Sequence, residues 1–137
     1  MSFLNRKIIL PKGQASLIEP GLVQNYISEG IVIEVEDVRA FKQANETLAE
    51  EKPYAVLVEV EEMVAVTKES RELTASKDFK RYTIAEAFVI SSLGHKIIGN
   101  FYLQVNKPHI MTKIFSDRDK ALVWLKQCIR EYSAQPV

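Results

Sequence analysis

The sequence predicts an α/β domain: a mixed sheet of about five strands, opened by an N-terminal hairpin and covered by about four helices. Three observations predict it. Two apolar runs of strand length, "YAVLVEV" (54–60) and "AEAFVIS" (85–91), are separated by a stretch with helix-starting signals. Strands alternating with helices argue a sheet with a parallel portion that helices cover. Ahead of them, "LVQNYIS", "EG" and "IVIEV" read as two β-rich runs about a two-residue turn containing glycine, which adds an antiparallel pair.

Each element has its own warrant. In 31–35, Ile31, Ile33 and Val35 alternate with Val32 and Glu34, giving one apolar face. Asp37 then caps a helix, because its side-chain oxygen can accept from a backbone N–H two or three residues on. Val38, Phe41, Ala44 and Leu48 recur at helical spacing, and Lys52-Pro53 stops the run. The unbroken apolar run 54–60 is that of a strand covered on both faces.

Thr67 heads the next helix, with Ser70 three residues on and Glu69 and Glu72 near the positive helix end. After the strand at 85–91, Ser91 or Ser92 can cap a helix reaching about Val105. Its stripe is Leu93, Ile97, Phe101 and Val105, and Asn106-Lys107-Pro108 ends it. "MTKIF" (111–115) is the last strand. Ser116 with Asp119 resembles a capping box, and Leu122, Leu125, Ile129 and Tyr132 form the core face of a final helix.

The chain has 137 residues, which fits one domain (1–137) with a core from about 22 to 132. No apolar run reaches the roughly 18 residues of a membrane span, so no membrane insertion is expected. "MSFLNRKIILPKGQ" lacks a small-residue cleavage pattern, so no secretory leader is expected either. Cys128 is the single cysteine, which forbids an intrachain disulfide and points to a reducing cytoplasm. With two separated histidines, His95 and His109, no zinc site and no other cofactor is expected.

Net charge is zero, which argues against nucleic acid as a partner. The charge is uneven along the chain. Residues 29–62 hold three basic and ten acidic residues, net −7, against +2 before them and +5 after. Such a segment can mark an acidic face, or mix in space with basic neighbours.

Few motifs carry chemistry. "SSLGHK" (91–96) sets Ser91, Ser92, His95 and Lys96 at a strand-to-helix junction, where a helix N-terminus can bind an anion. It lacks the glycine pattern of a phosphate loop and the G-x-S-x-G of a serine hydrolase. A serine nucleophile needs a base oriented by a third group, so capping serines beside a solvent-facing His-Lys pair is the simpler reading. Glu59, Glu61 and Glu62 cluster at a strand end, where carboxylates can work as acid and base or simply be solvated. Trp124 is read as a core or interface residue and Cys128 as a buried structural thiol.

Several segments together carry a family resemblance: "PYAVLVEV", "TKESREL", "AEAFVISS", "IIGNFYLQVNKP" and "TKIFSDRDKALVWL". Over about Leu22 to Ile129 the chain resembles the STAS-like domains, the type of anti-sigma factor antagonists. It is most similar to a standalone bacterial STAS/CRAL-TRIO-like subgroup of unassigned activity. The resemblance implies a non-enzymatic cytoplasmic regulatory or protein-interaction module whose partner is a protein. A homodimer is compatible with it. In the phosphoswitch members a serine at the head of the helix after the third strand accepts phosphate, within an Asp-Ser-Ser/Thr-Gly pattern. Here Thr67-Lys68-Glu69-Ser70 stands in that place without the pattern, so Thr67 and Ser70 are candidates for helix cap or phospho-acceptor. The alternative function is a small carrier holding an apolar or lipid-like ligand in a sheet–helix cleft.

Overall fold

The structure, a computed structural model, describes residues 6–77, 79, 82–90 and 110–134. A six-stranded mixed sheet runs in the order β1 (Lys7–Leu10), β2 (Gly13–Glu19), β3 (Leu22–Ile27), β5 (Tyr54–Val60), β7 (Thr83–Ile90), β8 (Met111–Phe115). The first three strands form an antiparallel meander, and from β3 onward every pair is parallel. A second, two-stranded parallel sheet joins β4 (Val32–Ile33) to β6 (Ala65–Val66). The described helices are α1 (Val35–Leu48), α2 (Lys68–Ala75) and α3 (Arg118–Ser133). The helix expected from Ser91 or Ser92 to Val105 lies outside the described residues.

The sheet separates two apolar layers, and side-chain alternation sorts the strands between them. Ala15, Leu17, Val23, Tyr54, Val56 and Val58 join Ala44 and Leu48 of α1 on one face. Leu22, Ala55, Leu57, Ala85 and Ala87 meet Ala121, Leu125 and Cys128 of α3 on the other. The alanines let α3 approach β5 and β7 closely, while α1 covers β1–β3 and touches α2.

The structure corrects several expectations. The hairpin partner of Leu22–Ile27 is β2, across a Pro20-Gly21 turn with Gly21 at φ 83°, and not the 31–35 run. Proline followed by a left-handed glycine is the signature of a type II turn. β2 is weakly marked because its inward residues, Ala15 and Leu17, alternate with Gln14 and Ser16. Gly13 is required there: a Cβ would lie 1.9 Å from the Tyr26 carbonyl oxygen.

α1 starts at Val35 rather than after Asp37. Asp37 sits inside its first turn and accepts from the Glu34 N–H at 2.9 Å. In α3 the cap is Asp117 and not Ser116: its carboxylate accepts from the N–H groups of Asp119 (2.8 Å) and Lys120 (3.2 Å). The buried stripe of α3 is Ala121–Leu125–Cys128. Leu122 and Ile129 flank it half-buried, and Tyr132 is 45% exposed near the end of the helix.

Candidate functional site

Ligands of open α/β sheets gather outside the carboxyl ends of parallel strands. Here β3 and β5 are parallel neighbours, and the chain leaves both on the same side. The two departing segments stay together. Gly30 N–H donates to the Glu62 carbonyl (3.1 Å), Ala65 N–H to that of Ile31 (2.9 Å) and Thr67 N–H to that of Ile33 (3.2 Å). β4 and β6 are the regular part of this ledge, with Val32 opposite Ala65 and Ile33 opposite Val66.

Alternation decides what the ledge shows. Ile33 and Val64 turn inward and are buried. Val32 turns outward at 50% exposure, beside exposed Ala65. Met63 stands at 78% exposure with φ 62°, a left-handed conformation that costs a residue with a Cβ roughly 1–2 kcal/mol. Residues 29–38 and 60–67 together carry Glu29, Glu34, Glu36, Asp37, Glu61 and Glu62, and no basic residue. Lys12 reaches this border from the β1–β2 connection. Its ammonium lies 2.7 Å from Asp37 Oδ2 and 3.6 Å from Glu34 Oε2, and donates to the Val32 carbonyl at 2.8 Å. The Asp37 hydrogen bond raises the Lys12 pKa.

The ledge continues into the head of α2. Thr67 caps the helix: Oγ1 accepts from Ser70 N–H at 3.1 Å. The Ser70 hydroxyl donates to the Ile33 carbonyl at 3.1 Å and lies 2.7 Å from the Thr67 hydroxyl. With the Ser70 proton directed at Ile33, Thr67 is the donor between the two hydroxyls. Ser70 is fully buried and Thr67 half-buried. Arg71 Nη1 donates to the Val66 carbonyl at 2.8 Å, while Lys68 and Glu72 form an exposed pair. The head of α2 is thus tied to both strands of the ledge.

A family profile described as a domain of unknown function (DUF7793) matches residues 16–129. The chain belongs to this family. No curated protein and no solved structure matches it. The matched span starts inside β2 and ends in α3, so it contains the whole ledge.

Two further polar clusters of this DUF7793 domain lie elsewhere. On the α3 face, Glu59 Oε1 accepts from Arg118 Nε (2.8 Å) and Gln24 Nε2 (2.6 Å), and Arg118 Nη2 donates to Gln24 Oε1 (2.7 Å). This closed ring fixes the start of α3 over β3 and β5. Of the three sequence-flagged carboxylates, Glu59 is therefore drawn away from Glu61 and Glu62. On the α1 face, Lys42 Nζ donates to the Tyr54 hydroxyl and to Thr83 Oγ1, both at 3.1 Å, and lies over the rings of Tyr54 and Phe79. Burial pushes the Tyr54 hydroxyl up to about 12.

Ser91, Ser92, His95 and Lys96 lie outside the described residues. Trp124 packs against Phe115, their ring centroids 5.8 Å apart. Cys128 is buried, and desolvation raises its pKa, which keeps it a thiol. Among the described residues no helix is long and apolar enough to cross a membrane, and no group of three or more His, Cys, Asp or Glu could hold a metal ion.

Sequence reasoning located Thr67 and Ser70 but missed the ledge. Val32 is read on the face opposite Ile31, Ile33 and Val35, but neither it nor Met63 is tied by the sequence to a partner strand at 65–66. The acidic excess of 29–62 was the signal that could have found it.

Proposed function

We propose that this DUF7793 domain is a non-enzymatic regulatory or protein-interaction module of the STAS type, acting in the cytoplasm through a protein partner. The observation that carries this is the ledge. Val32, Ala65 and Met63 present apolar surface to solvent inside a border of carboxylates. Exposed apolar patches rimmed by polar groups mark interaction surfaces. The hydroxyls at the head of α2 support the same reading, because their hydrogen bonds hold the ledge and α2 in fixed relation. A preformed surface binds without first losing conformational entropy.

The test is affinity capture from the source cell with the full chain as bait, with mass spectrometry of both co-purifying proteins and small molecules. A protein enriched over an unrelated bait of equal charge is expected. Repeated recovery of an apolar small molecule with no enriched protein would replace the module by the carrier.

A further inference from the structure

The ledge also limits the chemistry of its partner, and this inference rests on the module reading. We infer that the ledge docks a cationic protein segment that offers an apolar pocket to Met63. The sign follows from the charges. The two ledge segments carry six carboxylates: Asp37 is buried and, with Glu34, paired to Lys12, while Glu29, Glu36 and Glu62 are exposed and Glu61 half-exposed. Glu61 and Glu62 directly precede Met63 in the chain, and the Gly30–Glu62 hydrogen bond brings the segment of Glu29 alongside them. Complementary charge steers encounter and disfavours partners of like sign. Nucleic acid and anionic membrane surfaces carry the wrong sign, so the occupant is a basic protein segment.

The apolar share comes from Met63 and from the Val32–Ala65 pair beside it. Met is flexible and polarisable, well suited to filling a partner's pocket. Its left-handed backbone holds the side chain away from the fold, at 78% exposure. Other exposed apolar residues lack this setting. Ile9 lies two residues from Lys7 on an edge strand, and Val123 stands on the outer side of α3 between Lys120 and Lys126. Single exposed apolar residues of that kind are ordinary surface.

Nitrogen-15 NMR titration of the full chain tests this, with a synthetic lysine/leucine amphipathic peptide as probe. Two control peptides replace its leucines by serine or its lysines by glutamate. Shifts are expected to centre on residues 29–34 and 61–66. The double change Glu61→Lys with Glu62→Lys should weaken binding at least about tenfold, the size expected for close charge reversal at an interface. Met63→Ser should weaken it several-fold, and Val123→Ser should leave it unchanged. If charge reversal disturbs the spectrum of the free protein, Glu61→Gln with Glu62→Gln gives the same reading with a smaller effect. Shifts centred elsewhere, equal affinity for the leucine-free peptide, or no binding would overturn the proposal. The two readings fail separately. Partner capture that survives Glu61→Lys, Glu62→Lys and Met63→Ser removes the ledge and leaves the module. A peptide footprint on the ledge with no captured protein removes the module and leaves the surface.

Discussion

Asn45→Ala should destabilise the domain by about 2–3 kcal/mol. Asn45 of α1 and Asn25 of β3 are both buried at 5% exposure and face each other as a reciprocal amide pair. Asn25 Nδ2 donates to Asn45 Oδ1 at 2.6 Å, and Asn45 Nδ2 donates back to Asn25 Oδ1 at 3.0 Å. Truncating Asn45 removes both bonds at once and leaves the Asn25 amide in an apolar layer between Val23 and Ile27. A buried polar group stripped of its partner costs roughly 1–3 kcal/mol, and Asn25 would have two such groups, its carbonyl and its NH2. The better helix propensity of alanine returns roughly 0.5 kcal/mol. The asymmetry between one lost partner and two gives a sharper test. Asn25→Val with Asn45→Leu leaves no stranded amide and should cost less than Asn45→Ala alone. Urea unfolding at constant m-value measures both variants against the natural chain. A loss below about 0.5 kcal/mol for Asn45→Ala, or a double variant that costs as much as Asn45→Ala or more, would show that the amides do not act as a pair.

Other perturbations read other parts of the fold. Leu125 is fully buried at the centre of the α3 layer, so Leu125→Ala should cost about 2–5 kcal/mol in denaturant unfolding; a value near zero would displace α3 from the sheet. Tyr54 has a raised pKa of about 12 against an ordinary 10, so its burial stabilises fully below pH 10 and that share is lost between pH 10 and 12 as the unfolded chain alone ionises. Tyr54→Phe should remove this alkaline loss, on the order of 2 kcal/mol, visible as a flatter stability profile above pH 10. Glu50 and Glu51 both hold φ 56° just after α1, so Glu50→Gly or Glu51→Gly should each raise the unfolding free energy by about 0.5–1 kcal/mol, read as a higher urea midpoint. Thr67→Ala should lower stability by about 1 kcal/mol and Thr67→Ser should restore it, since only the hydroxyl caps α2; equal stability of all three would remove the cap.

What the sequence determined by itself is whatever depends on near neighbours in the chain. "YAVLVEV" is legible as a covered central strand because its continuous apolar run marks burial on both faces, and β5 spans those residues. "MTKIF" coincides with β8. Thr67 is legible as a head-of-helix residue because its acceptor distance to Ser70 is set by three residues of local geometry. The α/β class followed from such local signals in series. Pairing and surface were decided by the tertiary structure. Period-2 alternation in 31–35 shows that a strand can form there but not with which partner. The short β4 found Ala65–Val66 instead of β3, because β2 had already taken the antiparallel edge of β3 across the Pro20-Gly21 turn. The Gln24–Glu59–Arg118 ring joins residues up to 94 positions apart, and no local spacing encodes it. The outward side of Val32 is legible from its alternation with Ile31 and Ile33, but the exposure of Met63 is invisible to hydropathy, which counts apolar residues and not the side of the backbone on which the fold leaves them. That choice was made when the ends of β3 and β5 came to lie side by side.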